Sequence, residues 1–280
     1  MALILCFILG SMFTGISSDV DSPGCGTNSV GFDYSTLPKG NNKRIVGGQI
    51  ATPHSFPWMV ALKYRGVFVC GGSLLKGSSN KWYILTGAHC LHGLVSSDLE
   101  VVLGAHDMSK NEPSSETIAI KQTMNHPSFN PITLEYDTGL MELAYPPQIQ
   151  RPEINFGCVA ASKPVSGATC YVIGWGTTSV ESAPSDMLQV VEKPVMSQQT
   201  CESIYGTDYH NSSMLCAGYP QGGKDSCRLD SGGPLMCYQN SRMEIIGTVS
   251  WGFGCAEPNS PAVYASTLST RQWVEKTINA

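Results

Sequence analysis

Charged side chains are scarce in this chain of 280 residues, and no cationic cluster stands out. Asp, Glu, Lys and Arg make up 14% of the residues, and 17 Lys and Arg against 22 Asp and Glu give a formal net charge of −5. Nucleic acids are bound through clustered cationic surfaces, so this balance argues against such a partner. Low-complexity tracts are also missing and 42% of the residues are hydrophobic, which argues for a folded chain with a substantial core.

The sequence also lacks an apolar run long enough to cross a membrane. Residues 2–9 are almost all apolar, but a spanning helix needs roughly 20 such residues. Gly15 and Ser17 follow this run at the spacing of a signal-peptidase site. We therefore interpret residues 1–17 as a secretory signal, although its first part carries no basic side chain. The mature protein is expected to be secreted, extracellular and free of membrane anchors.

Closely spaced Cys and His pairs of the kind that bind zinc are missing, although cysteine is abundant. Of eleven cysteines, Cys6 lies inside the predicted signal, which leaves ten. In a secreted chain they indicate five disulfides, and about 945 pairings are open on sequence grounds alone. The nearest approach to a ligand pair is His89-Cys90, whose spacing does not suit a metal. We expect disulfides, no metal and no cofactor.

The composition changes at the basic run Lys43-Arg44. Residues 18–44 are rich in Gly, Ser, Asn, Pro and Asp and predict a flexible leader, whereas residues 45–280 begin with apolar Ile45. From there, short β-rich runs alternate with turn residues, which favours an all-β sandwich or barrel. The clearest runs are residues 100–103, 117–120, 170–173, 244–249 and 262–265.

Only the C-terminus is predicted to be helical. Ser269 and Gln272 have the spacing of a capping box. The residues that follow can share one face of a helix, namely Trp273, Val274, Thr277 and Ile278.

Three segments carry chemistry, and they read T-G-A-H-C at 86–90, Y-D-T-G-L at 136–140 and D-S-G-G-P-L at 230–235. Together, in the order His, Asp, Ser, they resemble the chymotrypsin/trypsin family of serine proteases. The resemblance runs from Ile45 to the end and includes G-W-G at 174–176 and S-W-G at 250–252. It implies two Greek-key six-stranded β-barrels with a cleft between them and a C-terminal helix. It also implies a monomer that hydrolyses proteins or peptides and meets protein inhibitors.

The resemblance assigns Ser231 as the nucleophile, His89 as general base and acid, and Asp137 as the orienting carboxylate. The residue types suit these roles. A serine hydroxyl needs a neighbouring base, and histidine titrates near neutrality. A buried carboxylate on the other imidazole nitrogen fixes the tautomer and stabilises the imidazolium.

The family forms its oxyanion hole from two backbone N–H groups, here those of Leu229 and Ser231. Glycine is usual at the first position, so Leu229 is a departure. If the peptide stays in place, the leucine side chain should obstruct bulky substrates on the leaving-group side, where Arg228 could select acidic residues. If the peptide flips, one oxyanion donor is lost for every substrate.

Specificity is assigned to a pocket with Asp225 at its base, which predicts cleavage after Arg or Lys. Ala262 stands where trypsins carry glycine, and its methyl group should crowd the water that a Lys ammonium uses. We therefore expect Arg over Lys, with reduced turnover for both. The other residues that the resemblance places at the pocket are Ser226, Ser250, Trp251 and Gly252.

The junction Arg44–Ile45 resembles a zymogen activation site. An activating trypsin-like protease would free Ile45, whose ammonium would pair with Asp230, and before that cleavage the oxyanion loop is expected to be disordered or misplaced. The resemblance also implies five disulfides, namely Cys25–Cys158, Cys70–Cys90, Cys170–Cys237, Cys201–Cys216 and Cys227–Cys255.

Two surface features remain in the sequence. Ala105 and Ser115 stand where a calcium loop of some relatives needs carboxylates, so no calcium is expected. Asn211-Ser212-Ser213 is a glycosylation sequon.

The competing interpretation of the whole chain is a secreted, protease-like binding protein whose catalysis is weakened by Leu229. Digestion, proteolytic cascades, immunity and venom all remain open as settings.

Overall fold

The structure, a computed structural model, describes residues 22–37, 48–148, 151–177 and 182–280. The predicted signal and the junction residues Arg44 and Ile45 lie outside these ranges. Each of the five β-rich runs noted in the sequence lies within a strand. In the described part of the chain, no helix has the length and apolar character needed to span a bilayer.

Six strands close the first barrel, after a short strand β1 (Gln49–Ile50). They are β2 (Met59–Tyr64), β3 (Val67–Lys76), β4 (Trp82–Thr86), β5 (Leu99–Leu103), β6 (Glu116–Asn125) and β7 (Gly139–Leu143). Their order around the barrel is β2-β3-β4-β7-β6-β5. Strand β4 is buried along its whole length, because side chains on one face fill the barrel and those on the other are covered by the rest of the chain.

The second barrel repeats the same strand order. After β8 (Cys158–Val159) come β9 (Thr169–Gly174), β10 (Gln189–Pro194), β11 (Met214–Ala217), β12 (Pro234–Gln239), β13 (Arg242–Trp251) and β14 (Ala262–Ser266). These last six pair as β10-β9-β12-β13-β14-β11, while β1 joins β10 and β8 joins β13 from outside. A bridge between Val195 and Ala217 links β10 back to β11. The predicted pair of six-stranded barrels is thereby confirmed.

Two α-helices accompany the barrels in the residues that the structure describes. Helix α2 (Thr267–Ile278) confirms the predicted C-terminal helix and buries Val274 and Ile278. The predicted capping box is wrong, because Ser266 is the N-cap and Ser269 lies inside the helix, where its hydroxyl donates to the Ser266 carbonyl.

Helix α1 (Gln198–Tyr205) was not predicted from the sequence. Its N-cap is Ser197, whose hydroxyl accepts a 3.0 Å hydrogen bond from the Thr200 N–H. A serine followed three residues later by a polar residue was the available signal.

The described part of the leader is docked rather than flexible. Gly26 exchanges backbone hydrogen bonds with Phe156 and Met243, at 2.9 Å each. Tyr34 is buried, and its hydroxyl donates to the Ser55 carbonyl at 2.7 Å. The prediction of a flexible leader is therefore wrong for residues 22–37, since a buried aromatic side chain outweighs a turn-rich composition.

The five disulfides join the pairs that the resemblance implied. Cys25–Cys158 fastens the leader to β8, and Cys70–Cys90 links β3 to the turn that follows β4. The remaining three lie in the second half of the chain, namely Cys170–Cys237, Cys201–Cys216 and Cys227–Cys255.

Candidate active site

Asp137 is a fully buried carboxylate in the loop before β7. Its Oδ2 lies 2.7 Å from His89 Nδ1, and its Oδ1 accepts a 2.8 Å hydrogen bond from the His89 backbone N–H. Ser250 Oγ donates to the same Oδ2 at 2.5 Å. These contacts hold the carboxylate on Nδ1 of the imidazole, so that Nε2 is the nitrogen left to exchange a proton with a nucleophile.

His89 lies in a short 3₁₀ turn, Ala88–Cys90, directly after β4. Gly87 precedes the turn, and a Cβ there would lie 2.9 Å from His89 Nδ1. The imidazole side chain is 26% exposed, so it is fixed along its Asp137 edge and keeps access to solvent elsewhere. This is the combination that a general base needs.

Ser231 lies on a tight turn just before β12. Its carbonyl accepts a 2.7 Å hydrogen bond from the Gly71 N–H of β3, and the next N–H, of Gly232, donates to Val249 of β13 at 2.8 Å. Gly232 has φ +75°, and a Cβ there would collide with Thr86 Oγ1. The glycine after the serine is therefore required both by its φ and by the close approach of the first barrel.

Leu229 adopts a left-handed backbone with φ +71°, which is costly for a residue with a bulky side chain. The Arg228 carbonyl before it accepts a 2.9 Å hydrogen bond from the Thr177 N–H. Because C=O and N–H point in opposite directions in a trans peptide, the Leu229 N–H points away from Thr177. The peptide between Arg228 and Leu229 is thus held with its carbonyl towards Thr177, and it is not flipped.

Asp230 is buried beside this loop. Its Oδ1 accepts from the Gly176 N–H and its Oδ2 from the Cys227 N–H, both at 2.9 Å. A Cβ on Gly174 or Gly176 would collide with the Asp230 carboxylate, which explains the G-W-G segment. Burial raises the pKa of Asp230 to about 6, although the two N–H donors oppose the rise. These two hydrogen bonds order the turn in the structure. The expectation that the loop is disordered or misplaced before cleavage stays a prediction.

A cavity of about 320 Å³ opens beside Ser231. All six predicted pocket residues line it, together with the Cys227–Cys255 disulfide; they are Asp225, Ser226, Ser250, Trp251, Gly252 and Ala262. Gly252 leaves the wall open, since a Cβ there would meet only the Ala262 Cα, at 3.7 Å. Asp225 is buried at the cavity, and its Oδ2 accepts a 2.9 Å hydrogen bond from the Ala256 N–H.

Sequence reasoning missed the second partner of Asp225. The ammonium group of Lys193, from β10, forms a buried ion pair with Asp225 Oδ1. Lys193 stands two residues from Val191 and two from Val195, both of which pack in the core of the second barrel. The period of two along a strand places Lys193 on that inward face, and this register was the signal available in the sequence.

A metal does not fit the residues present here. Ligand atoms of Cys70, Cys90 and His89 lie close together, but the two sulfurs form a disulfide and offer no thiolate. In the loop with Ala105 and Ser115, the Glu112 carboxylate turns inward and accepts from the His106 N–H at 2.5 Å. Backbone donors thus occupy the carboxylate that a cation would need.

Asn211, the sequon residue, is exposed. Its side chain is therefore placed where an attached glycan could extend into solvent. Its occupancy stays a prediction.

Two barrels of one strand order, with the acid–base pair on the first and the serine turn on the second, define the class of chymotrypsin-like serine proteases. The family model described as Trypsin matches residues 45–274. Trypsin of Sus scrofa is 36% identical over 250 residues, which cover 87% of this chain and 100% of the pig protein. Serine protease 1 of Rattus norvegicus is 36% identical over 245 residues, covering 87% and 94%. The chain belongs to the trypsin family of serine proteases.

A longer relative also matches. Serine protease 56 of Mus musculus is 34% identical over 260 residues, which cover 91% of this chain but only 42% of the mouse protein. The similarity is thus to one part of that protein.

Proposed function

We propose that this chain is the precursor of a secreted serine endopeptidase, activated by cleavage between Arg44 and Ile45. The observation that carries the proposal is the buried Asp137 carboxylate on His89 Nδ1. Ser231 attacks the scissile carbonyl while His89 Nε2 takes its proton, and the same nitrogen later protonates the leaving amine. Asp137 stabilises the imidazolium between these steps. The Leu229 and Ser231 N–H groups donate to the oxyanion.

Activation acts through Asp230. Cleavage frees the Ile45 ammonium group, which forms an ion pair with the buried Asp230 carboxylate. This ion pair offsets the cost of burying the carboxylate charge. The gain in free energy stabilises the turn that carries Leu229 and Ser231. An activating trypsin-like protease would be needed, because Arg44 supplies a basic residue before the cut.

The primary pocket is the cavity with Asp225 at its base. The preference for Arg over Lys follows if that carboxylate is available to a substrate cation. The ion pair between Lys193 and Asp225 bears directly on whether the carboxylate is available.

Covalent labelling tests the proposal. The purified precursor is treated with trypsin and then with a fluorophosphonate probe, and cleavage after Arg44 is checked by N-terminal sequencing. We expect labelling to rise on cleavage and to be lost in the Ser231→Ala variant. A correctly cleaved protein that reacts with neither the probe nor a protein substrate would contradict the proposal.

The left-handed Leu229 favours one alternative, a protease-like binding protein with weakened catalysis. Its φ of +71° strains a residue with a side chain. Under this alternative the cleaved protein would label slowly, and Leu229→Gly would accelerate labelling by about 10²–10³-fold.

A further inference from the structure

Lys193 is a charged side chain that the strand register forces into the second barrel. It lies on β10 opposite Cys170 of β9, and it is 0% exposed. A lysine is almost never fully buried unless it is paired. The position behind the primary pocket is therefore a built charge site rather than incidental packing.

The ammonium group has fixed partners at that position. It is bonded to Asp225 Oδ1 and lies 5.5 Å from the centroid of the Tyr264 ring. Burial alone would lower the pKa of Lys193, but Tyr264 and Asp225 outweigh that effect and the pKa is raised. The ion pair with Asp225 therefore favours the charged form of the Lys193 ammonium group.

Asp225 has both of its oxygens engaged by the protein. Lys193 takes Oδ1 and the Ala256 N–H takes Oδ2, at 2.9 Å. An Arg or Lys side chain entering the pocket would meet a base of zero net charge, with a cation directly behind the carboxylate. Displacing Lys193 would leave its ammonium buried and unpaired, which is strongly unfavourable.

We propose that Lys193 is a specificity-determining residue, which neutralises Asp225 so that the pocket selects large uncharged side chains and not Arg or Lys. This inference rests on the proposed endopeptidase function. The walls suit such a side chain, because Val249, Trp251 and Ala262 line the cavity. Its volume of about 320 Å³ exceeds the roughly 150 Å³ that suffices to hold a benzene ring. Phe, Tyr, Leu and Met are the expected residues before the scissile bond, in place of the Arg predicted from the sequence.

The test compares peptides that differ only in the residue before the scissile bond, with activated protein. For the unmodified enzyme, kcat/KM for Phe or Leu should exceed that for Arg by at least about tenfold. Lys193→Met should raise the ratio of kcat/KM for Arg to that for Phe by about 10²-fold or more, because the Asp225 charge is then no longer neutralised by an ammonium group. Lys193→Met with Asp225→Asn should return the ratio towards its original value.

A matched control is available next to Asp225 in the sequence. Lys224 is ion-paired to Glu192 at 2.7 Å. Lys224→Met should therefore change the Arg-to-Phe ratio by less than about threefold.

A binding measurement separates this inference from the proposed function. Cleaved Ser231→Ala protein is titrated with 4-aminobenzamidine, an aromatic cation whose fluorescence reports binding. We expect weak binding, and at least about 10²-fold tighter binding when Lys193→Met is added. Cleavage of peptides with Arg preferred in the unmodified enzyme would overturn the inference and leave the endopeptidase standing. Absence of hydrolysis and of labelling would overturn the endopeptidase, and the amidine titration would still decide the role of Lys193.

If Lys193→Met fails to fold, the unmodified protein still provides two decisive readouts, its peptide preference and its amidine affinity. Tight amidine binding by the unmodified protein overturns the inference.

Discussion

Asp230→Asn should make the uncleaved precursor more stable at neutral pH and unable to be activated. Burial raises the pKa of Asp230 from 3.8 to about 6 in the folded chain. A group whose pKa rises on folding contributes stability that is present below its unfolded pKa and is lost as the pH rises through its folded pKa. A shift of about two units corresponds to about 3 kcal/mol of free energy of unfolding, lost between about pH 4 and pH 6.

Asparagine removes this charge but not all of the hydrogen bonding. Its carbonyl can still accept from the Gly176 N–H, whereas its NH₂ group faces the Cys227 N–H as a second donor. Loss of that hydrogen bond leaves a buried donor unpaired, which costs about 1–3 kcal/mol. The variant should therefore be up to about 2 kcal/mol more stable than the unmodified precursor at pH 8, and about 1–3 kcal/mol less stable near pH 3.5.

Urea unfolding of the two precursors at pH 3.5, 6 and 8 measures the effect, with Ser231→Ala in both to prevent self-cleavage. Asp107→Asn is a control of opposite sign, because hydrogen bonds from Lys110 and Ser109 lower the pKa of Asp107 to about 2. Its stabilising contribution is present above pH 4 and is lost as the pH falls. A difference for Asp230→Asn that stays constant across the three pH values would refute the reasoning.

Three further expectations concern the leader and the oxyanion loop. Arg44→Gln should leave a folded precursor that trypsin treatment does not activate, as judged by fluorophosphonate labelling; full activity without a new N-terminus at Ile45 would contradict this. Cys25 is bonded to Cys158 and the leader is docked. A fragment of about 27 residues should therefore leave the cleaved protein only under reducing and denaturing conditions. Its appearance on a non-reducing gel would disprove the tether. Leu229→Gly should change kcat on a small ester by less than about tenfold, because the Arg228 carbonyl is already held by the Thr177 N–H. Rates on protein substrates and affinities for protein inhibitors should rise. A large gain on the ester would indicate a collapsed oxyanion hole.

The sequence predicted the features that depend on local pattern. Runs such as residues 244–249 combine β-branched residues with flanking turns, and they form strands as expected. The His89, Asp137 and Ser231 segments were identified through their resemblance to one family of serine proteases, in that family's chain order. Each segment contains glycine, and the structure supplies the reason for one of these glycines, since Gly232 avoids Thr86 across the two barrels.

The features that escaped prediction depend on contacts between distant residues. Ser250 was assigned to substrate binding, and its hydroxyl proves to bond Asp137, 113 positions earlier in the chain. Lys193 reads as an ordinary surface residue until the register of β10 places it behind Asp225. Burial of a charge is a property of the assembled barrel, so composition alone could not reveal it.

The docked leader has a practical consequence for producing the protein. Tyr34 sits among aromatic rings from both halves of the molecule, those of Phe56, Trp58 and Tyr238. A recombinant chain that starts at Ile45 would lack Tyr34, so the aromatic side chains that Tyr34 covers would be exposed, and Cys158 would lack its disulfide partner. An exposed hydrophobic patch together with an oxidisable thiol favours cross-linked aggregates. Preparations for enzymology should therefore retain the leader and remove its covalent link to Ile45 by cleavage after folding.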